Sequence, residues 1–166
     1  MSGGIRGLRT AGGYRPSQRR ATYFQIANWL TGRQKDDPAA CPWITDSVLP
    51  IVAANRVDIV KSAHAFNDLV TLIPTPGHTI DHYSVQVGKG GADAVITGDM
   101  IHSPLQARYP ELGMMSDYDS TLAGRSRREL FSRFCDTSTL MCTAHFPSPS
   151  TARVVRRQDA FDFIDA

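Results

Sequence analysis

Leu72-Ile-Pro-Thr-Pro-Gly-His-Thr-Ile-Asp-His82 and, one alternating run later, Ala94-Val-Ile-Thr-Gly-Asp99 decide how this chain is read. In both stretches an apolar run ends at a Gly, and the next residue can bind a metal: His78 in one, Asp99 in the other. A third stretch, Leu140-Met-Cys-Thr-Ala-His-Phe-Pro147, sets His145 where an apolar strand should stop. Ligands collected at strand ends are how an α/β scaffold builds a metal site from distant sequence. Pro76 fixes φ, and Gly77 permits a bend that presents the His78 imidazole instead of burying it. Asp99 is a carboxylate at the mouth of an apolar strand, where an unpaired charge is costly and a cation would offset it. A single His at a strand end is more often a hydrogen-bonded structural residue than a ligand. The order and setting of the three together make the case for a shared ion.

Working outward, Leu69 to Pro74 reads as a strand, and Tyr83-Ser-Val-Gln-Val87 alternates apolar and polar as a strand with one wet face does. Gly88 to Gly91 is a hairpin-type turn into Ala94 to Thr97, so residues 69–99 form a meander. Upstream, Val57 to Val60 is a short β run, with Asn67-Asp68 turning the chain before Leu69. A short helix runs from about Ile44 to Ala53, interrupted or ended by Pro50, behind a polar connector at 33–42. From Ala21 to Thr31, Tyr23, Ile26, Ala27 and Leu30 fall at helical spacing before Gly32. Downstream, 101–116 is irregular, and Asp119 or Ser120 caps a helix reaching about Phe134. Its buried stripe is Leu122, Leu130, Phe131 and Phe134, with Arg125, Arg127, Arg128 and Arg133 on the solvated face. Leu140 to Thr143 is a strand, 146–151 a loop, and 152–164 a strand followed by a short terminal element. Two regions follow: a flexible, Gly-rich lead-in over 1–20 and a domain over 21–166.

The chain has 166 residues, 42% hydrophobic and 20% charged, which is globular composition. A net charge of +2 argues against nucleic acid or a membrane surface as the main partner. The three Cys form no CxxC or regular framework, so they read as reduced thiols of a cytoplasmic protein, with Cys142 inside an apolar strand. No apolar run approaches the roughly 18 residues that a membrane span needs. No Gly-x-Ser-x-Gly elbow is present, which removes the ordinary serine-hydrolase route.

Thr75-Pro-Gly-His78, Thr97-Gly-Asp99 and Ala144-His-Phe-Pro147 together resemble the C-terminal half of the metallo-β-lactamase superfamily, in its lactonase-like and organophosphate-hydrolase-like branch. Gly98-Asp-Met-Ile-His-Ser-Pro-Leu-Gln106, Asp117 and Asp119 before the Arg-rich helix extend the resemblance over most of residues 20–164. It implies an α/β fold: part of an αββα sandwich, here one mixed or antiparallel sheet flanked by helices. It also implies that His78, Asp99 and His145 are metal ligands, with Asp99 bridging two ions and with Asp99 and His78 catalytic. Zinc is the implied cofactor, activating a hydroxide that attacks an ester, lactone, amide or phosphoester of a small-molecule substrate. His102 and His82 either touch substrate or support a ligand from behind; His102 reads equally as a loop imidazole and His82 as a structural one. Tyr109, Met114 and Met115 either line an apolar pocket or pack the loop.

The family's His-x-His-x-Asp-His motif does not occur in these residues. In register, Gly77 and Thr79 stand where its histidines would precede Asp81-His82. The expectation is a truncated, impaired hydrolase holding at most one weak ion, partnered by a second copy or by a complementing N-terminal half. The alternatives are a non-catalytic remnant, or an interaction module using the Arg-rich start or the 125–133 helix on a phosphate or acidic partner.

Overall fold

A computed structural model of the protein describes residues 21–22, 44–58, 60, 63–89 and 93–166. The chain divides into two compact units, residues 1–60 and 61–166. The lead-in at 1–20, the connector at 33–42 and most of the helix expected over 21–31 lie outside the described residues. That helix does not begin at Ala21. Ala21–Thr22 (β1) instead pairs in parallel with Val57–Asp58 (β2). The helical spacing starts only at Tyr23, and a β-branched Thr just ahead of it suits an extended backbone. In the same unit a π-type turn, Ile44–Val48, runs into a short helix, α1 (Leu49–Ala53). Pro50 sits in the first turn of α1 and does not interrupt it, because the N–H it lacks would have no helical partner there.

The second unit carries the site. Its described residues form one seven-stranded sheet, ordered as in the chain: β3 (His64–Ala65), β4 (Val70–Pro74), β5 (Tyr83–Val87), β6 (Ala94–Ile96), β7 (Leu140–Cys142), β8 (Thr151–Arg157) and β9 (Ala160–Asp165). Every neighbouring pair is antiparallel except β6–β7, which is parallel. A parallel step needs a crossover. It is supplied by residues 97–139, which hold a single-turn helix α2 (Leu105–Arg108) and the long helix α3 (Ser120–Phe134).

This topology gathers the three motifs. Ile96 lies opposite Cys142 in the parallel pair, so Asp99 and His145, each three residues further on, leave the sheet at the same edge. β4 is antiparallel to β5, and β5 to β6, so β4 ends at that edge too and delivers the turn bearing His78.

One face of the sheet packs against α3. Val95, Met141, Val154 and Phe161 meet Leu130, Phe131 and Phe134, joined by Met100, Ile101 and Ala107 from the crossover. Asp119 caps α3, its Oδ1 accepting from the Leu122 N–H. The buried stripe differs from expectation in two places. Leu122 is only half buried, whereas Ala123, Gly124, Ser126 and Arg127 line the covered face. Arg127 is not on the solvated surface. It is 0% exposed, and its guanidinium donates to the carbonyls of Pro110, Met100 and Leu112. Position 127 shares the helical phase of 130, 131 and 134, and the irregular loop opposite offers carbonyls without ladder partners. Residues 152–164, expected as a strand and a short terminal element, form the β8–β9 hairpin instead. Its turn holds Gln158 at φ 57°, without the Gly or Asn that usually marks such turns. Among the described residues no helix is long and apolar enough to cross a membrane.

Candidate metal centre

The loop after β4 closes tightly on itself. The Thr75 N–H donates to the His82 carbonyl at 2.8 Å and the Gly77 N–H to that of Thr79 at 2.9 Å. Gly77 has φ +133°, and a Cβ there would run into the Ala123 backbone. Only glycine lets the turn lie against the first turn of α3. Ser126 Oγ then donates to the Pro76 carbonyl at 2.6 Å, while the Tyr118 and Asp119 N–H groups donate to the carbonyls of His78 and Gly77. His78 is therefore carried on a turn stapled to a long helix.

Donor accounting fixes its tautomer. His78 Nδ1 lies 3.1 Å from Asp117 Oδ1, a carboxylate that can only accept, so Nδ1 carries the proton. Asp117 is 0% exposed at its side chain, and its Oδ2 accepts from the Met114 N–H at 2.8 Å. With Nδ1 engaged by Asp117, Nε2 is the ring nitrogen that faces Asp99 Oδ2, across 3.7 Å. Two acceptors that face one another at this separation, too far apart for a hydrogen bond, suit a cation between them. On the other side of Asp99, His145 Nε2 lies 2.8 Å from Oδ1. His102 fills the middle: its ring centroid is 4.9 Å from that of His78 and 4.5 Å from that of His145. Ligand atoms of Asp99, His102 and His145 lie within 4.8 Å of one another. Asp99 and His145 are close to half exposed, so the assembly opens to solvent.

His82 stands behind it. Its Nε2 accepts the Asp99 N–H at 3.1 Å, so Nδ1 is protonated and donates to Thr75 Oγ1 at 2.7 Å. Thr75 passes on to Ser84 Oγ, which donates to the Thr97 carbonyl. The chain of donors keeps His82 neutral. Burial, with the His78 charge adding to it, lowers its pKa to about 4 against an opposing pull from Asp99. Gly98, at φ +55°, approaches the same ring so closely that a Cβ would lie 2.9 Å from Nε2. Burial would raise the Asp99 carboxyl pKa, but the His145 hydrogen bond and the charges of His145, His78 and His102 outweigh it and hold the pKa below its ordinary value. Burial, then the charges of His145 and His78, lower the His102 pKa.

Imidazoles with one carboxylate are a donor set of the zinc type, and a buried His102 Nδ1 without a hydrogen-bond partner is what a ligand ring looks like before it binds. The residues present fit a divalent ion.

Comparison with known proteins establishes the family and the fold. The family model described as the metallo-beta-lactamase superfamily matches residues 6–145. The chain belongs to the metallo-beta-lactamase superfamily. Solved structures share its fold. A hydrolase of the beta lactamase superfamily, AbOPH, superposes with TM-score 0.68 at 24% identity, over 86% of this chain and 46% of its own. AidC, a dizinc quorum-quenching lactonase, gives 0.61 at 19% identity, over 74% of this chain and 44% of its own. A probable metal-dependent hydrolase from Staphylococcus aureus gives 0.52 at 14% identity, over 68% and 42%. The chain thus spans less than half the length of these metallo-beta-lactamase relatives. No curated protein matches it.

Within this member of the metallo-beta-lactamase superfamily, Asp117 and Gln106 belong to stretches that carry the resemblance, but the partners they hold were not read from sequence. Asp117 binds His78 across 39 positions, and no local pattern reports such a pairing. Gln106, 0% exposed, accepts the His102 N–H and donates to the Leu112 carbonyl. The clue was a polar residue at a helical position facing an apolar core. Tyr109, Met114 and Met115 are exposed, with Met115 fully so.

Proposed function

We propose that this chain carries part of a metal-dependent hydrolase centre whose donors are His78, Asp99 and His145, with zinc as its ion. The region 21–166 is then one partial domain of the metallo-beta-lactamase fold. The observation that carries the reading is the shared sheet edge: three motif residues from distant strands meet around Asp99, with His78 Nε2 3.7 Å from one carboxylate oxygen and His145 Nε2 2.8 Å from the other. A divalent ion there supplies Lewis-acid polarisation of a scissile ester, lactone, amide or phosphoester and makes water more acidic. The chain's own residues do the rest. Asp117 holds the proton on His78 Nδ1 and leaves Nε2 free. His82 grips the backbone of Asp99, so the carboxylate stays centred. The exposed sides of Asp99 and His145 leave room for a small-molecule substrate. A cytoplasmic setting belongs to the same reading, on the spacing of the three cysteines, which fits no disulfide framework.

A second reading has its own support. None of these 166 residues forms the His-x-His-x-Asp-His motif, so the chain alone offers few donors to each ion, and it binds weakly without turnover unless another segment or chain adds ligands. Hydrolysis of an ester, lactone and phosphotriester panel, with zinc and with chelator, tests both. Zinc-dependent turnover lost in Asp99→Ala supports the hydrolase. Zinc binding without turnover supports the second reading, and turnover insensitive to chelator and to Asp99→Ala refutes the metal-dependent hydrolase.

A further inference from the structure

We infer that His102 is itself a metal-binding side chain, closing with Asp99 and His145 a three-donor site for one divalent cation of the zinc type. The inference rests on the reading of this sheet edge as a metal centre and deepens it. His78 and Asp99 on one side, and Asp99 and His145 on the other, are two donors each. Two donors hold such an ion poorly, whereas three with an open fourth position is the ordinary arrangement of an accessible zinc site. His102 is the residue placed to make the third.

Four observations meet on it. Its ligand atom falls with those of Asp99 and His145 inside 4.8 Å. Ligand bonds near ~2.1 Å need donors about 3.4 Å apart, a contraction within reach of side-chain rotation. Its Nδ1 is buried with no hydrogen-bond partner, a state that is unfavourable unless another interaction compensates. Its backbone is held: the His102 N–H donates to Gln106 Oε1 at 2.7 Å, and Gln106 is anchored at 2.8 Å to the Leu112 carbonyl, which the buried Arg127 also grips. Finally, a plain loop imidazole has no reason to be wedged between two others, with centroids at 4.9 and 4.5 Å. The His102 and His145 rings lie 15° from parallel, and parallel rings cannot both aim an in-plane lone pair at one ion. One ring therefore turns about χ2 as the ion enters, and His145, 44% exposed at its side chain, has the room.

Cobalt(II) spectroscopy on the full chain tests this. In His102→Cys, direct ligation gives a sulfur-to-cobalt charge-transfer band in the near ultraviolet that a structural role for position 102 would not. Wild type, with its own three cysteines, is the baseline. The expected result is that band, saturating with the visible cobalt bands and abolished by adding His145→Ala. Alongside it, zinc affinity falls on the order of tenfold or more in His102→Ala. Circular dichroism checks the fold, and if His102→Ala unfolds, the cysteine variant decides. No band and unchanged affinity in His102→Ala, with affinity lost in Asp99→Ala, would overturn the role of His102 and leave the metal centre standing. A wild-type chain that binds neither cobalt nor zinc would overturn both.

Discussion

Arg127 shows what a single residue can hide from a sequence reading. Grouped with its neighbours it reads as part of a basic surface, yet it is fully enclosed and satisfies three backbone carbonyls with one guanidinium. Burial pulls its pKa down while Asp117 and Glu111 pull it up. Arg127→Met strands the Pro110 and Met100 carbonyls inside the protein and leaves the Leu112 carbonyl to Gln106 alone, and a loss of roughly 3–5 kcal/mol in urea unfolding is expected. A loss below about 1 kcal/mol would show that the loop finds other partners. His82 yields a pH prediction. Its folded pKa, about 4, lies below the ordinary 6.5, so between those values the unfolded chain binds a proton that the folded chain refuses. Stability attached to His82 is therefore whole above pH 6.5 and is lost as pH falls toward 4, by roughly 3 kcal/mol. Urea midpoints from pH 7 to 4, in chelator, check this against His82→Gln, whose profile should be flatter by about that amount. Parallel profiles would contradict a buried neutral imidazole.

At the scale of elements, legibility follows periodicity. β5 lies at 83–87 as its alternation predicts, but the face toward α3 carries the polar members, with Ser84 fully buried and Gln86 beside Val95, while Tyr83, Val85 and Val87 are half buried on the other face. The cap of α3 was legible from Asp119 for a local reason: a carboxylate two to three residues ahead of free N–H groups. Asp119→Ala should cost about 1 kcal/mol in thermal or urea unfolding, and no change would mean that the turn from 117 to 119 is held by its other bonds alone. The β8–β9 turn and the Ala21–Thr22 pairing were not legible, since the first puts Gln158 at positive φ, with Asp159 as its one turn residue, and the second is too short to show a period. Gly77 joins two elements. Gly77→Ala puts a methyl group into the Ala123 backbone at a φ that L-residues avoid. A cost of about 2–4 kcal/mol is expected, together with weakened zinc affinity as the His78 turn lifts from α3. A variant as stable as wild type would mean that the turn and helix are not tightly docked.

Across the whole molecule, the sheet edge was readable and its furnishing was not. Apolar runs that stop at Gly-His, Gly-Asp and Ala-His say where strands end, and a parallel β6–β7 step brings two of those ends together. Which loop side chains then fold back to meet them depends on contacts such as His78 with Asp117, or His102 with Gln106, that leave no period in the sequence. The sheet face away from α3 carries Val85, Val87 and the half-exposed Ile96 beside the buried Leu72. The most direct measurement of the central claim is zinc bound per purified chain, by equilibrium dialysis and elemental analysis, for wild type and Asp99→Ala. The account predicts saturable binding of about one ion by wild type, weakened on the order of tenfold or more in Asp99→Ala. Equal zinc content in the two proteins would contradict it.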